Sequence, residues 1–179
     1  MLVFVTGGAR SGKSTAALEA ARHSGRAVVF VATATAGDDE MVDRIARHRD
    51  ERPADWTTVE APRALADAIG GADPDACVVV DCLSLWVTNE LMADDTLTAD
   101  GLDPMLDAVI TAALKRPGPT IVVSNEVGSG IVPDNPLSRS FRDLLGRANQ
   151  RVAAAADRAV LSAAGRLVEL GAPSETFRV

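Results

Sequence analysis

The chain alternates short, almost wholly apolar runs with stretches whose apolar positions recur at helical spacing. Leu2–Val5, Ala27–Ala32, Cys77–Val80 and Thr120–Ser124 have the length and the Val, Ile and Phe content of strands. They are continuous rather than alternating, which predicts strands buried on both faces, as in a parallel sheet covered by helices. Between them the spacing predicts helices over Ser14–His23, closed by Gly25; over Asp38 to Glu51, with Asp39 and Glu40 where the helix dipole favours negative charge, stopping before Pro53; and over Arg63–Ile69, Leu83–Met92 and Pro104–Lys115. A last long helix, Leu137–Ala156, has Leu137, Phe141, Leu144, Ala148, Val152 and Ala155 as its predicted buried stripe. Thr57–Val59, Ala159–Leu161 and Leu167–Leu170 complete the predicted strands, and Ala93–Asp103 and Gly128–Pro136 read as surface loops. With no linker, repeat or low-complexity tract, the expectation is one α/β three-layer domain over residues 1–179, a mostly parallel sheet flanked by helices.

Composition sets limits. Of 179 residues, 47% are hydrophobic and 24% charged, the balance of a folded protein rather than a disordered one. A net charge of -7 disfavours nucleic-acid backbone and anionic membrane surfaces as bulk partners. No apolar run reaches the roughly 18 residues of a membrane span. The N-terminus enters a core strand without the charged and apolar regions of a secretory leader, so a cytoplasmic location is expected. Cys77 and Cys82 show no metal-ligand spacing and read as buried free thiols.

The first strand runs directly into Gly7-Gly8-Ala9-Arg10-Ser11-Gly12-Lys13-Ser14 and then into a helix, the full phosphate-loop pattern in its proper context. Glycines permit positive φ and let backbone N–H groups face phosphate oxygens, and the helix N-terminus adds its positive dipole end. Lys13 is expected to reach the β- and γ-phosphates of ATP or GTP, and Ser14 to offer its hydroxyl to Mg²⁺. Asp81, at the end of another strand, is placed as a second Mg²⁺ ligand, with Glu126 a weaker candidate. In open α/β sheets ligands gather at the carboxyl ends of the strands, where all of these residues fall.

There are two histidines. His23 ends the first helix and reads as a C-terminal cap. His48 lies among Arg44, Arg47, Arg49 and Arg52, a cationic cluster in an acidic chain. Guanidinium forks suit phosphate oxygens. Neighbouring cations keep an imidazole neutral and nucleophilic, and a histidine can carry a transferred group covalently. Met41, Ile45 and His48 are also spaced i, i+4, i+7, so the pattern equally allows a core-facing histidine, with arginines paired to Asp43, Asp50 and Glu51.

Taken together, the segments resemble the bifunctional adenosylcobinamide kinase / adenosylcobinamide-phosphate guanylyltransferase family of cobalamin biosynthesis. The matching pieces run in order along nearly the whole chain: Thr6 to Ser14, Ala32-Thr33-Ala34, Asp38 to Met41, Arg44-Ile45, His48-Arg49-Asp50 with Arg52-Pro53, and Trp56 to Glu60. They continue with Val87-Thr88-Asn89, Asn125 to Gly128 with Gly130 to Pro133, Phe141-Arg142-Asp143, Gly146-Arg147 and Asn149-Gln150. The resemblance implies a RecA-like P-loop NTPase fold and a homotrimer. It implies phosphorylation of adenosylcobinamide by ATP or GTP, then transfer of GMP from GTP to adenosylcobinamide phosphate through a GMP-histidine, with His48 at the matching position. It assigns nucleotide contacts to Gly7 through Ser14, to Thr33, Ala34 and Thr35, to Arg49, Asp50, Glu51 and Arg52, and to Glu60 and Asp81. Two positions depart from the family pattern. Arg47 stands where some relatives carry a second histidine, and Asp81 stands where some carry Glu, one methylene longer. Two rivals are a small-molecule kinase with a structural His48 and a GTP-binding switch. The switch is disfavoured because no Asn-Lys-x-Asp guanine box occurs.

Overall fold

The computed structural model describes residues 1–35 and 52–172. Its strands are β1 (Leu2–Gly7), β2 (Val28–Ala32), β3 (Thr57–Glu60), β4 (Cys77–Asp81), β5 (Thr120–Val123), β6 (Arg158–Ala163) and β7 (Arg166–Glu169). They form one sheet in the order β3-β2-β4-β5-β1-β6-β7. All neighbours are parallel except β6 and β7, which form an antiparallel hairpin at the edge. The helices are α1 (Lys13–His23), α2 (Leu65–Gly70), α3 (Leu83–Ala93), α4 (Ala99–Lys115) and α5 (Pro136–Ala155).

Alternation of side chains along the continuous apolar strands supplies both faces of the sheet. Leu2, Phe4, Val29, Val31, Val78, Val80 and Val122 pack with the buried residues of α2 to α5, among them Leu65, Trp86, Leu106 and Leu145. Val5, Val28, Phe30, Val79, Ile121 and Val123 pack with Ala17, Leu18 and Ala21 of α1. Among the described residues, one helix thus covers the face beside the phosphate loop and four cover the other.

Two expectations change. The stretch read as a loop over Ala93–Asp103 contains the start of α4, which begins at Ala99 rather than at Pro104. Leu102 is fully buried together with Leu106, so packing draws the first turn into the helix, and Pro104 sits inside it at the loss of one backbone bond. On α5 the buried residues are Leu144, Leu145, Ala148, Asn149 and Val152. Leu137, read as the start of the stripe, is 46% exposed, in a first turn that Asn135 caps by accepting from Ser138 N–H and whose residues are not buried.

The amino end of the sheet is closed by Arg116, just after α4. It is buried, and its guanidinium donates to the carbonyls of Ile69, Ala72, Asp73 and Ala76 at 2.8–3.2 Å. Gly118 is required beside it, since a Cβ there would come within 2.3 Å of the Ala76 carbonyl oxygen. Both cysteines are buried and free, as their spacing predicts. Among the described residues no helix is long and apolar enough to cross a membrane.

Candidate nucleotide-binding site

β1 leads straight into the phosphate loop, and the loop is wedged between its neighbours. Gly7 has no room for a side chain: a Cβ would lie 2.3 Å from the Ser162 carbonyl oxygen of β6. Gly12, at the mouth of α1, has φ 96°, and Arg10 also adopts a left-handed backbone, φ 56°. The Ser11 carbonyl accepts from Gly165 N–H at 2.8 Å and from the Ser162 hydroxyl at 2.9 Å, so the β6–β7 hairpin buttresses one side of the loop. On the other side Glu126 N–H donates to the Gly7 carbonyl at 3.0 Å. Lys13 is only 8% exposed, and its ammonium folds under the loop to the Gly8 carbonyl at 3.0 Å. The result is a backbone cradle at a helix N-terminus over a buried cation, an arrangement suited to polyphosphate.

The remaining predicted residues lie along the same end of the sheet, spread out by strand order. Asp81 ends β4, two strands from β1, so on the order of 10 Å to the side. Thr33, Ala34 and Thr35 follow β2, three strands over, and Glu60 ends β3, four strands over at roughly 19 Å. They frame a strip along the strand ends rather than one compact pocket. Thr33 is fully buried; its hydroxyl donates to the Cys82 carbonyl at 2.7 Å and accepts from Cys82 N–H at 2.8 Å, tying β2 to β4. Arg52 lies over the Phe30 ring, 3.6 Å from its centroid, with a 3.4 Å bond to the Thr58 hydroxyl. Glu126, the weaker metal candidate, turns its carboxylate back onto Gly128 N–H at 2.6 Å. His23 bonds a ring nitrogen to the Glu19 carbonyl at 2.7 Å, in keeping with a capping role. The predicted helix over 38–51, with His48, Arg49, Asp50 and Glu51, lies outside the described residues; the chain leaves them at Thr35 and rejoins them at Arg52.

Behind the strip runs a polar network to which sequence reading assigned no function. The Cys82 thiol contacts the Ser84 hydroxyl at 2.9 Å, and that hydroxyl accepts from the Asn125 amide at 2.9 Å. Asn149 donates to the Asn125 carbonyl at 3.0 Å and accepts from the Ser124 hydroxyl at 2.6 Å. Asn89 donates to the carbonyls of Thr33 and Pro62, both at 2.8 Å. These bonds lock the ends of β2, β4 and β5 to α3 and α5. Burial pushes the Cys82 thiol up, and Asp81 adds to that shift; Ser84, the Leu85 backbone and Lys13 oppose it. The signal for this network was a set of polar residues, Ser84, Asn89, Ser124 and Asn149, inside otherwise apolar segments.

The arginines of α5 pair across to the neighbouring helix. Arg147 and Arg151 bond Asp103, and Arg151 also bonds Asp107, both on α4. Arg142 does meet Asp143, at 3.6 Å. The Arg147 and Arg151 guanidiniums hold the Asp103 carboxyl down at about 2.

Comparison with known proteins agrees with this geometry. Among solved structures, the RadB recombinase superposes with a TM-score of 0.52 at 20% identity over 89% of this chain and 73% of that one, which shows a RecA-like P-loop fold. The bifunctional adenosylcobalamin biosynthesis protein CobP of Pseudomonas aeruginosa is 46% identical over 90% of this chain and 92% of its own. The corresponding protein CobU of Salmonella typhimurium is 43% identical over 92% and 97%, and that of Escherichia coli 39% over 92% and 97%. The family model described as cobinamide kinase / cobinamide phosphate guanyltransferase matches residues 3–170. With its phosphate loop, its strand order and nearly its whole length accounted for, the chain belongs to the cobinamide kinase / cobinamide phosphate guanyltransferase family.

Proposed function

We propose that this protein phosphorylates adenosylcobinamide with ATP or GTP and then transfers GMP from GTP to the resulting phosphate, giving adenosylcobinamide-GDP. The observation that carries this reading is a complete phosphate loop with its lysine buried beneath it, in a chain that the family model matches over residues 3–170. In the first reaction the acceptor hydroxyl oxygen attacks the γ-phosphorus, the bond to the β-γ bridging oxygen breaks, and the hydroxyl proton is released. Backbone N–H groups of Gly7 to Ser14 and the Lys13 ammonium hold the phosphates and offset the charge that moves to the leaving nucleotide. In the second, a ring nitrogen of His48 attacks the α-phosphorus of GTP and pyrophosphate leaves with the bonding electrons. A phosphate oxygen of the acceptor then attacks the same phosphorus, and the P–N electrons return to the ring. While His48 takes the nucleotide, the loop holds the departing pyrophosphate portion.

Ser14, in the first turn of α1, and Asp81, at the end of β4, are both half-buried at the carboxyl end of the sheet. A hydroxyl and a carboxylate are hard oxygen donors that fit Mg²⁺, an ion that keeps several of its waters, so these two residues would hold it. When bound, the ion screens the triphosphate charge. Thr33, Ala34, Thr35, Arg49, Asp50, Glu51, Arg52 and Glu60 are assigned to the nucleotide by their match to the family pattern. We also place the protein in the cytoplasm as a homotrimer, for which sedimentation should give three times the 18.6 kDa chain mass.

The test is a two-stage incubation. With cobinamide and ATP, mass spectrometry should show the phosphate ester; on adding GTP it should show the guanosine diphosphate ester and pyrophosphate. Accumulation of the phosphate ester with no guanylylated product would favour the plain kinase instead.

A further inference from the structure

The two proposed reactions present different acceptors to the same loop. The first acceptor is a neutral alcohol and the second a phosphomonoester dianion. A chain with net charge -7 repels the second unless a local cation receives it. Most arginines of the described residues are already committed. Arg63 pairs with Glu90, Arg147 and Arg151 with α4, and Arg158 with Glu169. Arg116 and Arg139 serve backbone carbonyls.

Two arginines at the carboxyl end of the sheet differ. Arg10, at the tip of the phosphate loop, and Arg166, at the start of β7, are exposed and have no hydrogen-bond or ion-pair partner among the described residues. They are brought together by one contact: Gly165 N–H donates to the Ser11 carbonyl at 2.8 Å, and each arginine is one residue from that bond. Both are presented by fixed backbone. Arg10 keeps a side chain at φ 56°, a conformation that glycine adopts more readily. Arg166 follows a two-residue hairpin turn in which Ala164 and Gly165 both have positive φ, and it pairs in register with Ala163. Lys13 is buried beneath the loop, whereas Arg10 and Arg166 are exposed to solvent.

We propose that Arg10 and Arg166 form a seat for the phosphate of the phosphorylated acceptor, so that the hairpin β6–β7 equips the loop for guanylyl transfer. The proposal rests on the two-reaction reading given above. A pair of guanidinium forks on a phosphate dianion is the geometry for which arginine is suited. Within the loop Arg10 also borders the nucleotide phosphates, so Arg166 is the cleaner probe.

The experiment measures KM for cobinamide in the kinase reaction and for cobinamide phosphate in guanylyl transfer, on wild type, Arg166→Gln, Arg166→Lys and Arg10→Gly. Covalent labelling by GTP serves as the check that each variant is folded. Arg166→Gln should raise the KM for cobinamide phosphate about tenfold or more, leave the KM for cobinamide within twofold, and be partly rescued by lysine. Arg10→Gly, which suits the left-handed backbone, should raise the KM for cobinamide phosphate more than that for the nucleotide. Equal changes for the two acceptors, or no change, would overturn the seat while leaving the two reactions standing. A wild-type protein that makes no guanylylated product overturns both.

Discussion

Among the described residues the molecule buries one cation at each end of its sheet, and the two are held in opposite ways. Arg116, 7% exposed at the amino end, is fixed by four carbonyls that belong to α2 and the turns before β4. Lys13, 8% exposed at the carboxyl end, is bonded to the Gly8 carbonyl of the loop it supports. Burial is the same; the setting is not. Arg116 ties the end of α2 to the turns before β4 through those carbonyls, so it is part of the fold. Lys13 sits at the N-terminus of α1, directly after a glycine-rich loop, where a cation adds to the positive end of the helix dipole and suits an anion. Equal exposure of two cations says little about function until their partners are named.

Substitutions can separate the two roles. The largest expected effect is Lys13→Ala, which should lower both transfer rates about 10²–10³-fold while shifting the thermal midpoint little, as steady-state kinetics beside a melting curve would show. Arg116→Ala should do the reverse: about 3 kcal/mol of stability lost in urea, because a buried side chain and its four hydrogen bonds are removed, with turnover per folded molecule near wild type. An intermediate case is Thr33→Val, which leaves Cys82 N–H buried without an acceptor. It should cost about 1–3 kcal/mol and, by loosening the β2–β4 junction beneath the strip, lower activity several-fold.

The smallest effect is a pH dependence on the surface between α4 and α5. Asp103 is held at about 2 in the folded protein, against about 3.9 unfolded. A depressed carboxyl stabilises the folded state fully above its unfolded pKa, and this stabilisation is lost as pH falls through about 4 toward about 2. Asp103→Asn should therefore flatten that part of the stability-pH curve, slightly lowering stability at neutral pH while leaving the most acid region little changed, which acid titration followed by circular dichroism would resolve.

How legible the molecule was depended on where each residue's determinants lie. The phosphate loop was readable because Gly7, Gly12, Lys13 and Ser14 act through local backbone geometry at fixed spacing. The parallel sheet was readable because strands covered on both faces must be apolar throughout. The start of α4 was not, because Leu102 is drawn inward by tertiary packing while its acidic neighbours and Pro104 suggest a loop. Nor was the exposure of Leu137, since its place on the helical stripe is apolar but burial along α5 starts only at Leu144. The bonds joining Thr33 to Cys82 and Asn149 to Ser124 connect residues far apart in sequence, and no spacing predicts such partners. The pairing of α5's arginines with α4 was hidden for the same reason.

The central claim is that one phosphate loop serves two transfers, the second through a histidine. The direct measurement is incubation with α-labelled GTP, followed by quenching in acid and in base, on wild type and on His48→Ala. The account predicts a covalent label on the wild-type chain that is lost in acid, survives in base and is absent from the variant. A label that persists in His48→Ala, or no covalent label on a wild-type chain that still guanylylates cobinamide phosphate, would contradict it.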